Sequence, residues 1–209
     1  PATGELPVDA VTEVLGERSH VVAVTGASNL IGTRPALERI IAAAHEAGAL
    51  VHVDAVHLAA HDLLDRETLG ADLMSCSPYK FFGPHLGVLS GRRELLEELR
   101  PDKLLPSTDE VPERFELGTL PYELLAGTTA AVDFIAGLAG GTGSARRARL
   151  EASFEALEEH EDALRARAEA GLGSIEGVTL YSRAGHRTPT LLFTLDGVGL
   201  QQHDARRRE

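Results

Sequence analysis

Cysteine and methionine occur once each, tryptophan is absent, and aromatic residues make up 4% of the 209-residue chain. A single thiol excludes an intramolecular disulfide and fits a reducing compartment. Basic charge is also scarce, with 20 Lys plus Arg against 32 Asp plus Glu and a formal net charge of −12. Non-specific nucleic-acid binding needs clustered cations that displace counterions. The only basic concentrations here, Arg146-Arg147-Arg149 and Arg206-Arg207-Arg208, are too local to line a groove, so no nucleic-acid partner is expected. No apolar run approaches the roughly 18 residues that span a bilayer, and no apolar stretch follows a basic start, so no membrane association is expected either. What remains is ordinary globular composition, 43% hydrophobic and 25% charged, pointing to a cytoplasmic protein of one large domain or one domain plus part of another.

Both ends read as cut. The chain opens on Pro1-Ala2-Thr3 without Met and closes on Asp204-Ala205-Arg206-Arg207-Arg208-Glu209, which reads as the middle of a helix. After Pro7, Val8, Val11, Val14 and Leu15 repeat at helical spacing up to Gly16. Residues 20–25 (HVVAVT) read as a buried strand, and residues 26–33 (GASNLIGT) as a loop. Thr33 is placed to cap a helix with Pro35 in its first turn and Ile40, Ile41 and Ala44 as its apolar stripe; Gly48 ends it. Residues 49–54 (ALVHVD) form the next strand. Strand, helix and strand within some 35 residues make a βαβ unit, which implies a parallel sheet. Residues 72–76 and 87–90 read as two more strands flanking a loop over residues 77–85. A short amphipathic helix over 92–99, a long proline-bearing loop over 101–116 and an apolar, mostly buried helix over 122–138 follow. The break Gly140-Gly141-Thr142-Gly143 is the best boundary signal, dividing residues 1–140 from 141–209. Beyond it a charged helix carries Leu150, Phe154, Leu157 and Leu164 on one face, and residues 178–182 and 190–195 read as strands. The fold class is therefore α/β, a largely parallel sheet with flanking helices, followed by the start of a small α+β domain.

Polar groups stand immediately after three predicted strands: Asn29 after the first, Asp54 at the end of the second, and Ser77 with Lys80 after the third. In open parallel sheets ligands bind at the carboxyl ends of strands, so these groups can converge on one crevice. A carboxylate at a buried strand end calls for a cationic partner. A lysine among Tyr79, Phe81 and Phe82 loses its proton more easily and becomes a usable nucleophile. Together they fit a pyridoxal phosphate site, with the lysine as Schiff-base former and the carboxylate holding the ring nitrogen protonated. A plain salt bridge, or two solvated loop residues, is the alternative that spacing leaves open.

Four segments occur in order: Ser28-Asn29-Leu30-Ile31-Gly32-Thr33, His52-Val53-Asp54-Ala55-Val56-His57, Ser77-Pro78-Tyr79-Lys80-Phe81-Phe82-Gly83-Pro84-His85 and Arg114-Phe115-Glu116-Leu117-Gly118-Thr119. With these, the chain resembles the class V aminotransferase family of fold type I pyridoxal phosphate enzymes, and within it the cysteine-desulfurase-like branch. The resemblance implies an enzyme acting on an amino acid, with Lys80 as the Schiff-base lysine and Asp54 as the pyridinium partner. It places His57 at the cofactor's phenolic oxygen, Asn29 near that oxygen or the substrate carboxylate, and Ser77 at the phosphate. Tyr79 stands where desulfurases commonly carry His. Thr119 matches a hydroxyl lent to the neighbouring subunit's phosphate, which implies a homodimer. The family's phosphate loop and ring-stacking residue precede the Asn29 segment by tens of residues, and its carboxylate-binding arginine and any desulfurase cysteine follow Glu209. The isolated stretch is therefore expected to bind cofactor weakly and to be inactive. Transamination, epimerisation or Cβ elimination on the same platform, and a non-catalytic dimeric scaffold, are the competing readings.

His52, His57, His61 and His85 invite a metal reading, but no HExxH or Cys/His pairing accompanies them, and zinc needs three or four converging ligands. No metal is expected, and His61 reads as a local hydrogen-bonding residue beneath the site. Cys76 lies in a predicted strand and reads as a small buried hydrophobe with a raised pKa. Gly26 and Gly32 do not follow the GxGxxG spacing of a dinucleotide site.

Overall fold

A computed structural model describes residues 3–140, 143 and 145–198. Strands β1 (Val21–Thr25), β2 (Leu50–Asp54), β3 (Leu73–Cys76) and β4 (Val88–Gly91) form one sheet in the order β1-β2-β3-β4. The first three run parallel, with Thr25 opposite Asp54 and Asp54 opposite Ser75; β4 returns antiparallel to β3. Helix α2 (Leu37–Glu46) joins β1 to β2 as the βαβ reading requires. Its Leu37, Ile40, Ile41 and Ala44 pack into one core with Val51, Val53 and Met74. Ile40, Val51 and Val53 are fully buried, and each such side chain contributes ~1.5–3 kcal/mol. Gly48, at φ +77°, makes the left-handed turn between helix and strand. Alternation along β2 buries Val51 and Val53 and sends His52 and Asp54 to the other face.

Several expectations are corrected. The first helix, α1 (Val8–Thr12), is a single turn, and Val14 beyond it is exposed. Strand β1 is a sheet edge among the described residues, so only Val24 is buried and Val21 is exposed. Thr33 does not cap α2: its hydroxyl donates to the Gly4 carbonyl at 3.0 Å, and its backbone bridges to Arg187. Helix α3 (Arg66–Leu69) is instead capped by Asp65, which accepts from the Thr68 N–H at 2.9 Å. Helix α4 (Arg93–Glu98) and the irregular segment after it match the sequence reading. Helix α5 (Tyr122–Ile135) buries only Ala131 and Ile135, while Tyr122, Leu125 and Phe134 remain exposed, as does Leu138 just beyond it.

Helix α6 (Arg146–Gly173) is 28 residues long and leads to the antiparallel pair β5 (Val178–Leu180) and β6 (Phe193–Leu195). Leu150, Phe154 and Leu157 lie on its partly buried stripe; Leu164 is off it, and Glu161, Arg165 and Glu169 continue the row instead. Several charges of α6 therefore tie it down rather than solvate it. Glu158 pairs with Arg34 at 3.4 Å, Glu169 pairs with Arg187, and Arg147 meets Asp65 at 3.2 Å. The terminal stretch 204–209 lies outside the described residues, as do Gly141 and Thr142 of the boundary signal.

Candidate active site

The parallel register sets the carboxyl ends of β2 and β3 side by side. The Asp54 carbonyl accepts from Gly26 N–H at 2.7 Å, and the Ser75 carbonyl accepts from Ala55 N–H at 2.8 Å. These bonds bring the loops after β1, β2 and β3 to one end of the sheet, where Asn29, Asp54, His57, Ser77, Tyr79 and Lys80 all lie.

Lys80 sits in a tight 3-10 turn, Pro78–Phe81, rather than an open loop. Gly83 N–H closes it onto the Pro78 carbonyl at 2.8 Å, and a side chain at Gly83 would run into Pro78. Phe82 takes a left-handed conformation, φ +67°, and its ring meets Phe134 of α5 edge-on at 5.3 Å. The Lys80 Nζ lies 5.1 Å over the Tyr79 ring, and Tyr79 stacks on His85 at 5.0 Å. The expected buried carboxylate–cation pair is not formed. Asp54 and Lys80 are both exposed, and among the described residues neither joins an ion pair. Asp54 Oδ1 accepts instead from Val56 N–H at 3.0 Å. Ser77 is half-buried, and its carbonyl takes the Lys80 N–H at 3.0 Å. Thr119 is exposed beside Gly118, and among the described residues no hydrogen bond ties it to the cluster.

His57 is held by residues far away in sequence. Its Nε2 lies 3.2 Å from Thr188 Oγ1 and 3.0 Å from Thr190 Oγ1. Its ring meets His61 edge-on at 5.0 Å, and His61 Nδ1 is 2.9 Å from Glu161 Oε2. Burial holds the His57 imidazole below its ordinary value; His61 and Lys80 add to this, and Glu161 opposes it. His61 is thus a hydrogen-bonding residue, but its partner lies 100 positions away and not locally as expected. Glu161, Thr188 and Thr190 carry no local motif and are added by the fold. Cys76 is half-buried and not enclosed as expected, and the burial it has pushes its thiol up. No group of three or more candidate metal ligands occurs among the described residues. Nor is any described helix long and apolar enough to cross a membrane.

The largely parallel sheet thus carries an exposed lysine, an exposed carboxylate and an imidazole on the loops at one end of its strands, the end at which α/β folds bind ligands. The chain belongs to the class V aminotransferase family, whose model matches residues 1–206. It is 32% identical over 205 residues to a cysteine desulfurase of Dickeya dadantii, covering 92% of this chain and 46% of that protein. A probable cysteine desulfurase of Streptomyces coelicolor is 36% identical over 144 residues, covering 63% of this chain and 34% of the relative. Among solved structures, a cysteine desulfurase of Escherichia coli superposes with a TM-score of 0.74 at 27% identity, over 93% of this chain and 48% of that one. One from Thermococcus onnurineus shares the fold, with a TM-score of 0.81 at 23% identity, over 99% of this chain and 52% of that one. The chain spans less than half the length of the curated relatives it matches.

Pyridoxal phosphate is the cofactor of that family. The donor set fits it: an exposed amine, an exposed carboxylate and an imidazole stand at adjoining strand ends, with hydroxyl and amide groups on the same rim.

Proposed function

We propose that this chain carries the lysine-bearing part of a pyridoxal phosphate enzyme acting on an amino acid, in the manner of its desulfurase relatives. One observation carries the reading: Lys80 is presented, among the described residues without an ion-pair partner, on a tight turn next to the strand that ends in Asp54. Bound pyridoxal phosphate supplies an electron-accepting ring that stabilises the charge left when a bond at the substrate α-carbon breaks.

In this reading Lys80 is the residue that would hold the cofactor through its amine, and Nζ, once displaced by the substrate's amino group, would accept the α-proton. Asp54 keeps a proton on the pyridine nitrogen through its negative charge. His57 would face the cofactor's phenolic oxygen, and Asn29 would serve that oxygen or the substrate carboxylate. Ser77 contributes a hydroxyl to the phosphate, and Tyr79 takes the place where desulfurases commonly carry His. Thr119 serves the phosphate of a second subunit, and the exposed apolar residues of α5 together with Phe82 support a homodimer. Residues 1–140 belong to the large cofactor-binding unit and 141–209 to the start of a smaller one.

Borohydride reduction of the full-length protein followed by peptide mapping tests this reading. The label is expected on Lys80. Lys103 is the only other lysine in the sequence, and its ammonium is already held by the Ser107 carbonyl at 2.7 Å and Asp109 at 3.3 Å. A label on Lys103, or none at all, overturns the assignment.

A further inference from the structure

We propose that the His61–Glu161 pair is a second polar layer that positions His57, which makes α6 a working part of the candidate site. The inference rests on the reading in which His57 is a site residue and extends it to residues that no motif marks. The contacts form a continuous column: Glu161 to His61, His61 to His57, and His57 to Thr188 and Thr190. A carboxylate only accepts hydrogen bonds, so the 2.9 Å contact places a hydrogen on His61 Nδ1 and fixes the orientation of that ring. The side chains of His61 and Glu161 are 17% and 25% exposed, sheltered enough for the pair to hold one arrangement. The His61 ring then braces His57 in an edge-to-face contact at 5.0 Å and 63°.

On the other side the two threonine hydroxyls lie 3.0 Å from each other and within 3.2 Å of His57 Nε2. The imidazole is thereby held between a segment 131 to 133 positions downstream and a pair anchored on α6. The charged groups that bear on His57 are His61 beside it, Lys80 on the turn after β3 and Glu161 on α6. Asp54 is three residues before it, on the end of the same strand. Positive charge on His61 or Lys80 opposes protonation of His57, and Glu161 favours it. The column therefore sets the protonation of His57 as well as its position.

The test is an NMR titration of the His57 ring protons in the full-length protein without cofactor, comparing wild type with His61→Phe and His61→Gln. Phe keeps a ring against His57 and removes the imidazole nitrogens; Gln keeps a donor for Glu161 and removes the ring. Both keep Glu161, which favours protonation of His57, and remove the imidazole that opposes it. The His57 midpoint is expected to rise in each, because the His61 ring that opposes its protonation is gone. An unchanged or lowered midpoint in the variants overturns the proposal. Circular dichroism shows whether each variant is folded, and the Gln variant, the milder change, decides the matter if Phe disrupts packing. Because no cofactor is present, the outcome is independent of where borohydride fixes its label.

Discussion

Asp72 offers a perturbation whose cost can be worked from its contacts. It is 2% exposed and precedes β3, at the end of the strand remote from Ser77 and Lys80. Its Oδ2 accepts from the Val51 N–H at 2.7 Å and lies 2.9 Å from His45 Nε2; its Oδ1 accepts from Arg92 Nε at 2.8 Å. Burial penalises the charge, but His45, the Val51 N–H and Arg92 outweigh it and hold the carboxyl below its ordinary value. The His45 and Arg92 side chains are 43% and 46% exposed, so they regain water when the carboxylate is lost, and each pair is worth only about 0–1 kcal/mol. The Val51 N–H has no such recourse, since Val51 is fully buried, and leaving it unpaired costs about 1–3 kcal/mol. Asp72→Ala is therefore expected to destabilise by about 2–4 kcal/mol, and Asp72→Asn, which keeps an acceptor for Val51, by about 1–2 kcal/mol. Urea unfolding of the full-length protein measures both, with the slope unchanged if only stability is altered. The sign with pH follows from the lowered value. The stabilisation is fully present above the ordinary carboxylate range and is lost as pH falls through the folded-state value, so wild type and Asp72→Ala should converge on acidification. Equal losses for Ala and Asn, or a gap that widens in acid, would refute the reasoning.

Two further outcomes concern the site itself. Asp54→Asn keeps the shape and removes the charge, so activity of the full-length enzyme should fall by several orders of magnitude while the absorbance of bound cofactor persists; a fully active variant rules out the role. Gly32 is at φ +77°, and a Cβ there would sit 2.8 Å from the Thr188 carbonyl oxygen. Gly32→Ala should therefore cost at least about 1–2 kcal/mol from the backbone alone. It should also displace Thr188 from His57, seen as a change in the His57 ring resonances; unchanged stability and resonances would count against the packing described.

Much of the framework is legible in the sequence because local signals agree there. The β-branched run before Thr25, the stripe of Ile40, Ile41 and Ala44, and Gly48 before the alternating Leu50–Asp54 segment all point to one βαβ unit. The misreadings fall where burial depends on what lies beside an element. Residues 20–25 look like a central strand, yet β1 has a single neighbour among the described residues. The apolar run of 122–138 does form a helix, but hydrophobicity alone does not say which surface covers it, and Tyr122 and Phe134 stand exposed. Thr33 looks like a cap because its spacing from Pro35 is right, but its hydroxyl is claimed by Gly4, 29 positions upstream.

The site divides along the same line. Lys80, Asp54, His57, Asn29 and Ser77 follow strand ends, and a parallel sheet brings successive strand ends together by its own topology. Their gathering at one end therefore needs only the strand assignments to be right. What surrounds them is set by a different kind of contact. Glu161 reaches His61 across 100 positions, and Thr190 reaches His57 across 133. Along α6, Glu161 stands four residues after Leu157 and so continues the row of Leu150 and Phe154, which Glu158 and Glu159 do not, but that spacing does not name its partner. The packing of that helix against the loop after β2 supplies the partner, so a helix that reads as a solvated face over an apolar stripe places one carboxylate of that stripe against His61. Glu161 opposes the burial that lowers the His57 imidazole, so removing that carboxylate from α6 is expected to lower the His57 midpoint further without touching the ring.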